Sequence, residues 1–547
     1  MLVVIIGVMW AFGTLGLLQY EITILTALIP PLIIVIGIPN CIFLINKYQL
    51  EVKRHGNQAL SLQRVISKIG NVTLMTNVTT ASGFATFIIT DSTLLKEFGI
   101  VAAINILGIF LLSILIIPII YSFMPLPKNK HLKHLNTKWI ETFINWMEKI
   151  VREKRIAVYI ITISLLVFGI IGIYQINISG SPIEDMPHNE EFFTDIRFFE
   201  QEFDGIMPVE IVIDTKRPKG VLRPSTLKKM DELGDFIMEI PELSRPISIV
   251  ELVKYSKQAF YNGIPKYYQL PTSQESTFIM GIAGKSSDSG NLLSSFVDST
   301  GQVARITTYI KDVETSRMEA IEGKLLEQID KIFPSDNYKV SMTGSALLFL
   351  KGTKYLVRNL ILSLSLAIGL IALFMAYLFR SFRMVVISLI PNLLPLVITA
   401  GIMGFMGIPI KPSTILVFSI AFGISVDDTI HFLAKYRQEL VASKWKIKKS
   451  VYASLRETGI SMFYTSVVLL FGFSVFIISS FGGTVALGAL VSVTLLFAMM
   501  ANLILLPSLL LSLERSIAHK AVLKKPQIDL LPIEDPNMQD EEEGPSL

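Results

Sequence analysis

Three side chains within one apolar stretch have the types and spacing to do chemistry. Residues 412–439 read PSTILVFSIAFGISVDDTIHFLAKYRQE, and Asp427 and Asp428 sit side by side in a run long enough to cross a bilayer as a helix. An ionised carboxylate in hydrocarbon costs at least ~2.5–3.5 kcal/mol, so an adjacent pair implies an ion or proton pathway, a buried partner or a water-filled cavity. Burial and mutual repulsion both favour the neutral form of a carboxylic acid, which suits such a pair to taking up and releasing a proton. His431 follows Asp427 by four residues and Asp428 by three, so it can share a helix face with either. A purely structural pair, held by hydrogen bonds from neighbouring helices, is the alternative that the stretch alone leaves open.

The composition shows what must surround that stretch. The chain has 547 residues, of which 51% are hydrophobic and 17% charged, with a mean hydropathy of +0.55. A soluble protein of this length needs far less apolar residue, so the fold class is a polytopic α-helical membrane protein. The single cysteine, Cys41, lies in an apolar run, which excludes an intrachain disulfide and a cysteine metal site. The N-terminal segment has no basic leading region and no small-residue cleavage site, and reads as a spanning helix. Ten segments are long enough to span, near 2–19, 24–46, 72–90, 98–122, 156–175, 357–378, 384–406, 413–433, 461–480 and 485–511.

Lysine and arginine then fall on alternate sides. Lys47, Lys53, Arg54, Arg64 and Lys68 follow the second span, Arg380 and Arg383 the sixth, and further clusters lie at 128–155, 435–456 and 515–525. The intervening turns carry almost none. By the positive-inside rule these clusters and both termini are cytoplasmic, in a multi-pass protein of the cell's inner membrane.

The expected organisation is a partial first-half bundle at 1–123, a basic amphipathic cytoplasmic linker at 124–155, a single span at 156–176 and an extracytoplasmic α+β domain at 177–355. Further spans fill 356–514, and an acidic, disordered cytoplasmic tail covers 515–547. In the linker, Trp139, Phe143, Trp146 and Ile150 recur at helical spacing among lysines, the pattern of a helix lying on the anionic inner leaflet with its aromatics buried. In the outer domain, 208–214, 303–310 and 338–342 read as strands. A helix capped by Ser225 aligns Leu227, Met230, Leu233 and Ile237, and another aligns Met318, Ile321, Leu325 and Ile329. This alternation predicts a helix layer on a sheet. The middle, 256–299, shows no clear period and is expected to hold loops and short helices.

An internal repeat organises the spans. At a shift of 388 residues Lys47 and Tyr48 fall on Lys435 and Tyr436; at 389, Thr76 meets Thr465, Phe84 meets Phe473 and Pro118 meets Pro507. Spans one to four therefore repeat spans seven to ten, and repeats of this kind place the coupling site at their interface. Asp427 and Asp428 fall on Pro39 and Asn40, so only one half has the acids, and Asn40 is expected to face them as a neutral hydrogen-bonding partner. Met1 aligns with Leu389, in mid-repeat, which leads to the expectation of a fragment or a gene start assigned too late.

Residues 423–428, GISVDD, with Pro391-Asn392 in the preceding span, the large outer domain and the phrase EFDGIMPVE at 202–210 resemble the resistance–nodulation–division superfamily, in its branch named after the mycobacterial membrane protein large family. The resemblance runs to about residue 512. It implies a pseudo-twofold helix bundle in which these ten spans are the third to twelfth of twelve, with a porter-like outer domain of split βαβ type. It also implies proton relay by Asp427 and Asp428 with His431, supported by Asn40, Thr465 and Ser466. The implied function is proton-driven export of lipids or other hydrophobic compounds. Two alternatives stay open: a sterol-sensing-like lipid receptor that does not pump, and the protein-secretion motor of the same superfamily. Asn40 stands where many relatives carry an acid, and the second span has no mid-membrane lysine.

Other chemistries find little support. The nearest approach to a phosphate-binding loop is Gly284-Lys285-Ser286, with Ile279 where the first glycine should be. The outer domain has one histidine, His188, and no cysteine, and His131 and His134 sit in the basic linker. No cofactor, metal or enzymatic reaction is expected. The basic clusters flank spans, so the expected partners are the membrane, protons and an apolar substrate, without nucleic acid. Homo-oligomerisation is left open.

Overall fold

The computed structural model describes residues 1–512 apart from 24, 128–137, 179–182, 184, 273, 276–293 and 380. The expected acidic tail at 515–547, His131, His134 and the Gly284–Ser286 near-match lie outside the described residues, as does part of the 256–299 segment. The chain forms two compact units: Met1–Asn177, Leu356–Ser479 and Gly483 onward make one, and Ile178–Tyr355 with Ser480–Gly482 the other.

Among the described residues, the regular elements of the first unit are all helices, a form that satisfies backbone groups within its own segment where no water can. It begins with α1 (Leu2–Leu17), α2 (Ile29–His55), α3 (Gln58–Arg64), α4 (Gly70–Ala85), α5 (Thr93–Phe123), α6 (Lys138–Glu153) and α7 (Arg155–Ile173). Helix α2 carries Pro30 and Pro31 in its first turn, where no intrahelical N–H is needed, and stops at Gly56 in the left-handed conformation (φ 65°). Among the described residues, nine helices are long and apolar enough to cross a membrane, and Leu2–Leu17 is a shorter apolar helix. This is a multi-pass membrane protein.

The second unit contains α8 (Glu191–Glu202), β1 (Met207–Asp214), α9 (Pro224–Met238), α10 (Ile249–Phe260), β2 (Val303–Ile310), α11 (Thr315–Ile332) and β3 (Lys339–Thr343). The sheet order is β2-β1-β3, with β1 antiparallel to both neighbours. Met207 opposes Ile310 and Asp214 opposes Val303 on one side; Glu210 opposes Thr343 and Asp214 opposes Lys339 on the other. Strands β2 and β3 thus run parallel, joined by α11 and split by β1. Alternation puts Val209, Ile211 and Ile213 into the core with Ala304, Ile306 and Ile310, under Leu227, Leu233, Ile237, Leu325 and Ile329. The opposite face carries the Arg305–Glu210 pair at 3.5 Å. Ile211 is fully buried on the central strand, so Ile211→Ala is expected to cost about 2–5 kcal/mol. Thermal unfolding in detergent, scored by proteolysis within the second unit, measures the loss.

Helix α12 (Ser345–Phe379) returns the chain to the helical unit, followed by α13 (Phe382–Phe405), α14 (Pro412–Ala442), α15 (Ile447–Ser474), α16 (Gly482–Met500) and α17 (Leu506–Ser512). The repeat is visible in the element boundaries. The one-turn 3₁₀ segments Thr86–Ile89 and Val475–Ile478 differ by 389 residues at both ends, and so do α5 and the span Gly482–Ser512. Phe84 and Phe87 meet at 6.4 Å, as Phe473 and Phe476 do at 6.1 Å.

Helix α7 approaches α13 through glycines. A Cβ on Gly169 would stand 2.7 Å from Val397 O, one on Gly401 2.5 Å from Gly169 Cα, and one on Gly404 inside the carbonyl of Gly172. Small residues permit this close backbone approach, which packs membrane helices where lipid offers no hydrophobic drive.

The linker helix α6 packs on the protein through a stripe that the sequence reading did not single out. The stripe it buries is Ile140, Ile144, Met147 and Val151, whereas Trp139 and Trp146 are 66% and 50% exposed. The aliphatic residues fill the groove against α15 and the segment near Leu503, and the Trp139 and Phe143 rings lie beside Phe463 at 5.5 and 5.0 Å. Arg456 binds Glu148 at 2.6 Å and fixes the same contact.

Candidate functional site

Helix α14 is the most enclosed of the candidate spans, with 78% of its apolar window buried. Pro412 occupies its first turn, and Lys411 N donates to Thr414 Oγ1 at 2.9 Å, which satisfies a backbone donor at the helix start. The helix carries Asp427 and Asp428 near its middle, about 100° apart around the axis.

The two acids have different surroundings. His431 Nε2 lies 3.3 Å from Asp427 Oδ1, one turn along, and the His431 ring packs on Phe43 with centroids 4.1 Å apart. Ser466 Oγ donates to Asp428 Oδ2 at 3.3 Å. Asp427 also lines a cavity with Ile36, Pro39, Asn40, Thr76, Asn77, Thr80, Ile424 and Leu469. Ile36 and Ile424, Pro39 and Asp427, and Thr80 and Leu469 are repeat-related pairs, so the cavity lies between the repeats.

Asn40 shares that cavity, but its Nδ2 donates to Asn77 Oδ1 at 2.9 Å rather than to an aspartate. Asn77 is the repeat mate of Ser466, so the Asn40–Asn77 pair in one half corresponds to Asp428–Ser466 in the other. The neutral amide thus reproduces the acid's contact within its own repeat. The sequence pairing of Asn40 with Asp428 holds as a repeat correspondence, while the acid that lines Asn40's cavity is Asp427. Thr465 donates to Ser461 O at 3.1 Å and Met462 O at 3.0 Å, bonding back to its own helix.

Sequence reasoning missed a second polar layer. Asn392 Nδ2 donates to Thr429 Oγ1 at 2.9 Å, the Thr429 hydroxyl donates to Asn502 Oδ1 at 2.7 Å, and Asn502 Nδ2 reaches Ser425 O at 3.3 Å. All three side chains are buried. Its repeat counterpart is the contact of Cys41 with Ser113 at 3.8 Å. This network anchors α14 beside the acids from α13 and the Ala501–Leu505 turn. The signal was present: the Asn392 noted in the family motif needs a buried partner. Thr80, which donates to Gly423 O at 3.0 Å from the opposite repeat, was likewise legible only once the packing was known. Asn502→Leu is expected to destabilise the helical unit by about 1–3 kcal/mol by removing the buried acceptor that the Thr429 hydroxyl reaches at 2.7 Å. A detergent melting series checks this.

The second unit offers a different cluster. Lys257 pairs with Glu275 at 2.9 Å. Glu275 is held down to about 2 by the Thr272 N–H first, then by Lys257 and the Tyr261 hydroxyl. That carboxylate is already engaged by Lys257, Tyr261 and Thr272. Among the described residues, no group of three or more His, Cys, Asp or Glu side chains is arranged to hold a metal ion.

Repeated helical segments, one of which carries an adjacent acid pair, and an α+β unit inserted in the chain define a polytopic helical membrane protein. The model of the MMPL family matches residues 1–146 and 285–527, more than half of the chain, and the chain belongs to that family. This is the branch of the resistance–nodulation–division superfamily that the sequence resembles. A protein of Methanocaldococcus jannaschii whose provisional name calls it a membrane protein is 28% identical over 150 residues, covering 27% of this chain and 38% of that protein. The chain thus matches well under two thirds of that relative's length.

Proposed function

We propose that the chain serves proton-motive-force-driven export of lipids or other hydrophobic compounds from the inner membrane. The observation that supports this most is the asymmetric acid pair, with Asp427 lining a cavity between the repeats and Asp428 bound by Ser466. A proton crossing 100 mV releases ~2.3 kcal/mol, provided a carrier loads on one side and unloads on the other. Asp427, with His431 one turn away, is that carrier; protonation removes a charge from between the repeats and changes which packing of α2, α4 and α14 is cheapest. Asp428 tunes the carrier through its adjacent charge and its tie to α15. Asn40, Asn77 and Thr80 give the cavity polar walls without adding charge. No covalent chemistry is assigned to the chain.

In this reading the clusters around Lys47, Lys435 and Arg456 face the cytoplasm and the second unit is extracytoplasmic, following the positive-inside rule. The second unit works as a porter domain: the β2-α11-β3 unit split by β1 supports this, as do the exposed Phe198 and Phe199 of α8 and Phe203 just after it. A photoactivatable phospholipid is expected to label residues 177–355 in proteoliposomes. Labelling confined to α6 would oppose the porter assignment. The export reading is tested by reconstituting the full chain with a fluorescent phospholipid analogue and imposing a pH gradient. Analogue movement that follows the gradient's sign is expected; movement indifferent to it removes the proton drive.

A further inference from the structure

Two lysines related by the repeat converge on one carboxylate. Lys47 and Lys435 are equivalent at the 388-residue shift. Lys47 Nζ donates to Glu457 Oε1 at 2.8 Å, and Lys435 Nζ lies 2.7 Å from Glu457 Oε2. Lys435 also pairs with Glu439, one turn along α14, at 3.0 Å. The Lys47 and Glu457 side chains are each 23% exposed and Lys435 11%, so the cluster is largely enclosed. In the other repeat Lys68 stands where Glu457 would recur, so the sequence provides only one such glutamate.

The cluster is asymmetric in a useful way. Lys47 lies on α2 of the first repeat, whereas Lys435 and Glu457 lie on α14 and α15 of the second. Any movement that separates the repeats here must part Lys47 from Glu457. It need not part Lys435 from Glu457, so the carboxylate keeps one cation in either arrangement. That lowers the barrier to opening, because a stranded buried charge is what makes a broken ion pair costly. Residues 427, 431 and 435 follow one another at four-residue spacing on one face of α14, so the cluster stands two turns from the acid in the cavity.

We propose that Glu457 is a positioning residue of the transport cycle, a latch that holds the two repeats together through Lys47 and stays with Lys435 when they part. Its role in transport rests on the exporter reading, but the latch can be measured without it. Nitroxide labels at Ala59→Cys and Lys449→Cys, exposed positions on the two repeats, are placed in a Cys41→Ser background of the full chain. The distance between them is read by pulsed electron resonance in lipid nanodiscs.

The parent is expected to give one narrow distance. Lys47→Met and Glu457→Gln are expected to add a longer population, while Lys47→Arg and Lys435→Met keep the narrow one, since both retain the pair that crosses the repeats. A single narrow distance in both Lys47→Met and Glu457→Gln would overturn the latch, as would a longer population of equal size in Lys47→Arg. Thermal melting separates a repositioned repeat from an unfolded one, because Lys47→Met and Lys435→Met each remove one lysine from the same cluster. In proteoliposomes loaded with a pH-sensitive dye, Lys47→Met is expected to raise proton flux severalfold. Distances that separate as described, with no flux in any variant or the parent, would uphold the latch and remove the exporter reading.

Discussion

Replacing Asp427 with Asn is expected to abolish the accumulation of a lipid analogue driven by membrane potential. One proton falling through 100 mV supplies ~2.3 kcal/mol, and about 1.4 kcal/mol is a factor of ten, so a one-proton carrier sustains roughly a fifty-fold gradient. The asparagine keeps the shape of the side chain in its cavity with Asn40, Asn77 and Thr80 but cannot load a proton. The gradient should fall to none, while passive exchange of the analogue continues at the parent's rate. Asp428→Asn should lose accumulation as well, since it removes the adjacent charge that tunes Asp427. Ser466→Ala, which removes only the 3.3 Å contact to Asp428, should weaken accumulation without abolishing it.

The second large effect lies in the packing of α7 on α13. Gly404→Val would place a branched side chain where the carbonyl of Gly172 now sits, and a backbone atom cannot turn aside as a side-chain tip can. Overpacking costs typically about 1–3 kcal/mol, and a backbone clash falls at or above the top of that range. The variant is expected to lose most of its monodisperse yield in detergent, or to melt well below the parent. Gly13→Ala is the control, because nothing lies within 4 Å of a Cβ there. Equal melting of Gly404→Val and the parent would show that α7 does not need this approach.

Local pattern carried much of the fold. Alternation at Val209, Ile211 and Ile213 and helical spacing at Leu227, Leu233 and Ile237 marked the strand and helix that the structure contains. Hydropathy marked the spans, since in lipid an apolar run must be helical. In α6 the spacing singled out the aromatic stripe for the membrane surface, while the stripe packed against the protein, Ile140, Ile144, Met147 and Val151, was not read from it. Periodicity finds a face; it does not say which of two neighbouring stripes a partner will cover.

The site was legible in its residues and less so in its contacts. The acids and His431 were singled out by their types and spacing, and Ser466 by the family resemblance. Which acid meets which partner depends on the rotation of α14 against α2, α4 and α15, and no one-dimensional pattern encodes that angle. Asn77 could have been reached by carrying Ser466 back through the repeat. The Asn392–Thr429–Asn502 network needed three helices placed in space.

The central claim is that protons move through this chain on its acids. The direct measurement is proton flux into proteoliposomes holding the purified full chain, under a fixed pH gradient with the electrical potential clamped. The parent is compared with the Asp427→Asn/Asp428→Asn double variant at equal protein density. The account predicts a flux in the parent that falls to the level of empty vesicles in the double variant, with the variant's melting temperature retained. Equal flux in parent and double variant would contradict it.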